Sequence, residues 1–403
     1  MDETTTGLRP LLLGLVALVG LTLRPFLTGL GPVAEQVATD TGMGIQGLAL
    51  LTLLPVLLMG AGAFAGPALQ ARLGAKRATV AALMVLALGS GLRLVAETGV
   101  AMLGSAVLLG LGAAVVQAVF PSIIKREFPH NVSLGMGVYA ATMMGGGAFG
   151  AQATPLIAQA TGSWRLALGW LVVPAALTAL LVARALPREP RKAAGHRPGL
   201  MHWLHLPRVW LLMACFGLIN GGYSSSVAWL APAFREMGWS ARASGGLLAV
   251  LAVGQALSAL MTPVLAARSS DRRPWLLGCL GLQAFGFLVL ARHPEAAPWP
   301  VVFLLGAGLG GCFSLMMLVA LDHLTDPSEA GALAALMQGG GFLLAAVPPW
   351  ILAVTHQASG DFSAGWLLHL GAVLLVGILV LRLAPQGYAA AMRSHRPGVA
   401  AAE

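Results

Sequence analysis

No charged side chain interrupts the run from Leu48 to Leu58 or the run from Ala372 to Leu381, and such stretches recur along the whole chain. A run of about 18 or more apolar residues is long enough to cross a bilayer. In lipid the backbone must satisfy its own hydrogen bonds, which leaves only helices and closed barrels. Barrel strands alternate in hydrophobicity, and these runs do not. The chain therefore reads as an all-α membrane protein with many spans. Charged residues make up 10% of its 403 residues, against ~25% in soluble domains, too few to cover a water-facing surface. The same runs exclude disorder, a coiled coil and a nucleic-acid-binding module. Cys215, Cys279 and Cys312 lie inside apolar runs and are too sparse for a disulfide framework, so they are expected to pack as small apolar residues.

Hydropathy and loop punctuation predict twelve spans, at 9–38, 45–70, 78–97, 99–124, 132–160, 164–186, 206–235, 242–267, 274–292, 299–323, 329–356 and 364–384. With the N-terminus in the cytoplasm, eighteen of the 24 basic residues fall on the inner side, four on the outer side, and Arg24 and Arg93 within spans. That asymmetry obeys the positive-inside rule and places both termini in the cytoplasm. It also accounts for the net charge of +9 without a nucleic-acid partner. Asp2 and Glu3 argue against a cleavable signal peptide at the start. Trp164, Trp203, Trp210, Trp239, Trp275, Trp299 and Trp366 sit near span ends, where interfacial belts would put them. The polar stretch 187–205 divides six spans from six, giving a bundle at 1–186, a linker at 187–205 and a second bundle at 206–403.

The two bundles resemble each other at an offset near 196 residues. Ala71-Arg72-Leu73-Gly74-Ala75-Lys76-Arg77 after span 2 matches Ala267-Arg268-Ser269-Ser270-Asp271-Arg272-Arg273 after span 8. Gly110 and Gly112 match Gly306 and Gly308, and Gly145-Gly146-Gly147 with Pro155 matches Gly339-Gly340-Gly341 with Pro349. A six-plus-six parallel repeat is the mark of a transporter that rocks two bundles about a midplane site. The many glycines suit close helix approach in lipid.

On these segments the chain resembles the major facilitator superfamily. The loop at 71–77 is a degraded form of that superfamily's basic loop, with Ala71 at the acidic position. More narrowly, it resembles the cyanate/2-nitroimidazole permease family. The segments that carry this are Leu23-Arg24-Pro25, Lys125-Arg126-Glu127-Phe128-Pro129, Phe216-Gly217-Leu218 with Tyr223, Ala228-Trp229-Leu230 and Pro232, and Gln338 to Ala346. The resemblance implies a twelve-helix fold in which spans 1, 4, 7 and 10 line the solute cavity.

Arg24 is the only basic residue in the middle third of any span. A charge at that depth costs at least ~2.5–3.5 kcal/mol on insertion scales, so it is expected to face the interior. Pro25 removes a backbone donor and loosens the helix beside it. Helical spacing puts Thr28, Gly31 and Glu35 on the face of Arg24. Guanidinium suits small planar anions because its donors form a rigid fork; the competing reading is a structural ion pair or bonds to neighbouring carbonyls. Gln117, Tyr139, Asn220, Tyr223 and Gln338 are further substrate-binding candidates, each equally able to tie helices together. Gln255, Ser258 and Thr262 read as interhelical ties. Glu35, Asp322 and His323 are candidates for gating or proton coupling, since histidine titrates near neutrality; for Asp322 and His323 the plain alternative is a helix end. Arg93 is expected to snorkel outward or pair with Glu97, and His356 and His369 to be solvated near the outer face.

No metal-ligand spacing or phosphate loop occurs, so neither a cofactor nor a metal is expected. The sequence thus points to a secondary transporter of a small anionic or weakly polar solute, acting as a monomer in the inner membrane and not as an enzyme. An exporter of drugs or metabolites is the runner-up. A membrane-embedded enzyme or sensor would be a different use of the same cavity.

Overall fold

The computed structural model describes residues 10–187 and 200–392. Most of the expected 187–205 linker therefore lies outside the described residues. The helices in chain order are α1 (Pro10–Thr22), α2 (Pro25–Thr28), α3 (Ala34–Thr41), α4 (Ile45–Ala63), α5 (Gly66–Leu73), α6 (Ala75–Leu94) and α7 (Gly99–Glu127). They continue with α8 (Val132–Thr161), α9 (Trp164–Gly169), α10 (Val172–Ala185), α11 (Leu200–Leu204), α12 (Pro207–Glu236), α13 (Ala241–Ala266) and α14 (Arg273–Arg292). The last are α15 (Pro298–Asp322), α16 (Pro327–Ala345), α17 (Pro348–Ser359), α18 (Ser363–Val380) and α19 (Tyr388–Met392).

Among the described residues ten helical segments are long and apolar enough to cross a membrane, and eleven if the α4–α5 pair, bent by 60°, counts as one span. The twelfth slot is α8, whose 30 residues reach about 45 Å at 1.5 Å per residue. Six glycines make it less apolar than its neighbours and let other helices approach it. The architecture is two six-helix bundles. They meet along two seams, α8 against α13 and α16 against α4 and α7.

Span 1 is broken, and this overturns the expectation of one face running from Arg24 to Glu35. Pro25 lacks an N–H, α1 stops at Thr22, and Arg24 takes φ −122° and ψ −18° between the two helical pieces. A 3₁₀ turn at Gly31–Val33 interrupts the chain again before α3. Two close approaches of α8 seat the break. A Cβ on Gly146 would lie 2.4 Å from the Leu21 carbonyl oxygen, and one on Gly150 would lie 2.5 Å from the Pro25 Cα. Only glycine fits at either position.

The bundles close on each other at the end that carries the basic loops. Lys125 Nζ, at the end of α7, donates to the Leu321 and Leu324 carbonyls at the end of α15. Gly331 of α16 abuts Ser122 of α7, and Gly137 of α8 abuts the Leu260 carbonyl of α13. The tryptophans divide: Trp210 and Trp299 are exposed, as an interfacial belt requires, whereas Trp164, Trp203 and Trp366 pack inside the bundles. The three cysteines are buried and free. His369, expected to be solvated, is buried and stacks on Phe287 at 5.1 Å between ring centroids.

Candidate functional site

The break in span 1 turns the Arg24 side chain toward the opposite bundle. Its guanidinium carbon lies 5.4 Å from the Tyr223 ring centroid on α12 and 6.0 Å from that of Phe313 on α15. Arg24 is 5% exposed, and its Nε is buried with no hydrogen-bond partner. Among the described residues no carboxylate pairs with it, which removes the structural ion pair as an explanation. Cation–π contacts contribute ~0.5–2 kcal/mol each, enough to offset part of the insertion cost while leaving N–H donors unanswered. Tyr139 on α8 lies within electrostatic reach of Arg24. Its hydroxyl is also buried and unpaired, and its ring packs on Phe120 at 5.5 Å.

Gln117 and Gln338 form a second polar pair across the same divide. Gln338 Nε2 donates to the Gln117 backbone carbonyl at 3.0 Å, which orients the Gln338 amide and leaves its Oε1 unpaired. Both side-chain polar atoms of Gln117 are buried without partners. An unsatisfied buried polar group costs ~1–3 kcal/mol, and such groups in a native protein call for an explanation. Here Arg24, Tyr139, Gln117 and Gln338 each carry at least one, on helices from both bundles.

The other sequence candidates divide. Asn220 is buried and spends its amide N–H₂ on the Phe216 carbonyl one turn back, at 2.8 Å. Thr28 faces α8 and donates to the Gly147 carbonyl at 2.6 Å, tying the broken helix to its neighbour. Glu35 is exposed on α3, beyond both breaks, and shares no face with Arg24. Asp322 accepts from Arg272 Nε at 3.2 Å. His323, one residue past α15, bonds the Val319 carbonyl through Nδ1 at 2.7 Å and stacks on Tyr388 at 3.8 Å. Burial pushes its pKa down to about 4. The ring is thus neutral at physiological pH, and the arrangement is that of a packed helix end. His356 pairs with Glu236 at 3.0 Å.

Two residues in this geometry were not legible as site residues. Phe313 sits in an apolar run, and the one signal for it is the repeat: an offset of 196 pairs it with Gln117, as it pairs Arg24 with Asn220. Lys125 reads as a topology signal in the sequence, and in the structure it joins the two bundles.

The chain matches the Major Facilitator Superfamily profile over residues 11–349. It is 39% identical over 370 residues to the cyanate transport protein CynX of Escherichia coli, covering 92% of this chain and 96% of that protein. It is 27% identical over 385 residues to the 2-nitroimidazole transporter of the same organism, covering 93% of each. The proton:xylose symporter XylE superposes with a TM-score of 0.76 at 13% identity, covering 92% of this chain and 95% of XylE. The fucose:proton symporter FucP, in its outward conformation, superposes with a TM-score of 0.70 at 14% identity, covering 94% of this chain and 99% of FucP. The last two likenesses speak to fold alone. This chain is a multi-pass membrane transporter, not an enzyme, and it belongs to the major facilitator superfamily.

Proposed function

We propose that this transporter carries a small planar solute, anionic or weakly polar and of the cyanate or nitroimidazole kind, by secondary active alternating access. The observation that carries this is Arg24: a buried cation without a counter-charge, held against two aromatic faces of the opposite bundle. Such a site is stabilised by an anion or an electron-rich neutral group. A flat solute can meet the forked donors of the guanidinium edge-on, while the Gln117, Gln338 and Tyr139 polar atoms take up the rest of its hydrogen bonding. Residues 1–186 and 206–403 are the moving bodies. The Lys125 contact to α15 is a latch that must open when the basic end opens.

The relatives support the solute class, since one carries cyanate and another 2-nitroimidazole by name. The orientation follows the basic loops, with both termini cytoplasmic, in the inner membrane, and one chain as the working unit. Proteoliposomes holding purified protein should take up labelled cyanate or 2-nitroimidazole faster than empty vesicles, with a rate that responds to a solute or proton gradient. Binding of either compound without flux would favour a sensor over a transporter. Neither binding nor flux for both compounds would refute the solute class.

A further inference from the structure

Arg93 of α6 is a second buried cation, and the site described so far does not use it. It is 1% exposed, so it does not snorkel, and it does not pair with Glu97. Its Nε donates to Ser105 Oγ at 3.3 Å and its Nη1 to the Phe26 carbonyl at 3.3 Å. The Ser105 hydroxyl donates in turn to the Met102 carbonyl at 2.7 Å. Its Nη2 is buried without a partner, beside a narrow void lined by Pro25, Phe26 and Thr154 among others.

Phe26 is two residues past Arg24, in the short α2 that lies between the two interruptions of span 1. In a continuous helix its carbonyl would accept from the Leu30 N–H. That bond is not formed here; the chain instead makes Leu27 N–H to Arg24 O and Gly29 N–H to Pro25 O. A carbonyl left open in the membrane interior is costly, and the Arg93 guanidinium closes it. Arg24 therefore points out of the break toward the opposite bundle, while Arg93 holds the same short segment from behind. Burying a cation is an expensive way to satisfy one carbonyl if the task were stability alone, because an unbroken span 1 would need no such donor.

We infer that Arg93 is a positioning residue for solute binding: by donating to the Phe26 carbonyl it fixes the broken turn that aims Arg24 at the solute. This inference rests on the reading of Arg24 as the solute-binding cation, and the two can fail separately.

Two measurements test it. Hydrogen exchange needs no ligand: amides from residue 23 to residue 30 should exchange at least tenfold faster in Arg93→Gln. They should be unchanged in Ser105→Ala, which leaves the Phe26 bond intact. Solute binding then uses cyanate and 2-nitroimidazole as probes, on protein that elutes as a single folded species. Arg93→Gln should weaken binding about tenfold, Arg93→Lys should recover part of the loss by keeping one donor for the carbonyl, and Ser105→Ala should bind as wild type. In an Arg24→Ala background Arg93→Gln should add nothing further, since a residue acting through Arg24 has no separate effect once Arg24 is gone. Unchanged exchange in Arg93→Gln would overturn the inference, as would an additive loss in the double variant. If Arg93→Gln does not fold, the exchange and binding of Arg93→Lys decide: wild-type values in both would overturn it. If Arg24→Ala binds as wild type, the reading of Arg24 itself fails; if Arg24→Ala loses binding and Arg93→Gln does not, only the role of Arg93 fails.

Discussion

The two bundles share a plan and differ around Arg24. Span 1 is broken at Arg24, while its counterpart α12 runs unbroken through Asn220 for 30 residues. The N-terminal bundle contributes the charge, and the C-terminal bundle contributes two aromatic faces and an amide already bonded to its own helix. The repeat pairs Gln117, polar and unsatisfied, with Phe313, apolar and packed on Phe216 at 5.4 Å. A duplicated scaffold supplies rocking symmetry; its departures from symmetry supply chemistry. If the proposed site is single and lies at the pseudo-twofold axis, it has one cation to place, and a second at Asn220 would repel the first.

The largest expected effect comes from moving the charge across the axis. Arg24→Asn combined with Asn220→Arg keeps the composition and should abolish high-affinity binding, with at least a hundredfold loss by equilibrium titration. The unbroken α12 cannot aim a guanidinium as the broken span 1 does. Binding within threefold of wild type would mean that charge matters and the break does not.

Next in size is a pair of glycine substitutions at the two equivalent seats. A Cβ on Gly146 meets backbone, the Leu21 carbonyl at 2.4 Å, whereas a Cβ on Gly340 first meets the Met213 thioether sulfur at 2.5 Å. A flexible thioether can shift where a carbonyl fixed in its helix cannot. Gly146→Ala should therefore lower the melting temperature more than Gly340→Ala, as overpacking of about 1–3 kcal/mol would. Equal losses would show that the broken helix is no more tightly seated than its counterpart.

Phe313→Gln makes the C-terminal bundle copy the N-terminal residue at that position. Loss of one π face should weaken binding about fivefold, in line with ~1 kcal/mol for a buried cation–π contact. Tighter binding would mean that Phe313 only fills space.

The smallest effect concerns the basic end, where the repeat pairs Glu127 with His323. Burial holds the His323 pKa at about 4, below its ordinary 6.5, so the unfolded chain takes up a proton first as pH falls. Stability is then lost between pH 6.5 and 4, and is independent of this residue above that window. The melting temperature should drop by a few degrees across the window, and less in His323→Gln. Transport between pH 7 and 8 should not respond to that substitution; a response would mark His323 as a coupling group.

Much of this was legible before any coordinates. Spans, the two-bundle plan and the burial of Arg24 follow from hydropathy and charge, because lipid penalises every departure from an apolar helix. Helical periodicity misled at Glu35, since spacing rules assume an unbroken helix and Pro25 and the Gly31–Val33 turn interrupt it. Thr28 keeps the side expected of it, since a Cβ on Gly147 would meet Arg24 at 3.4 Å and Thr28 at 3.6 Å, but its hydroxyl is spent on the Gly147 carbonyl. Phe313 escaped because an aromatic residue in an apolar span looks like every other packer, and only its distance from Arg24 distinguishes it. Arg93 was misjudged by depth: nearness to a span end predicted snorkelling, and nothing in the sequence announced that a carbonyl 67 residues earlier needed a donor.

The most direct test of the central claim is solute affinity in well-folded Arg24→Ala and Arg24→Lys proteins, with cyanate and 2-nitroimidazole as probes. If Arg24 holds the solute, Arg24→Ala should bind at least a hundredfold more weakly at an unchanged melting temperature. Arg24→Lys should also be impaired, because a point charge lacks the forked geometry. Wild-type affinity in both variants, with any loss confined to expression or melting temperature, would contradict the account.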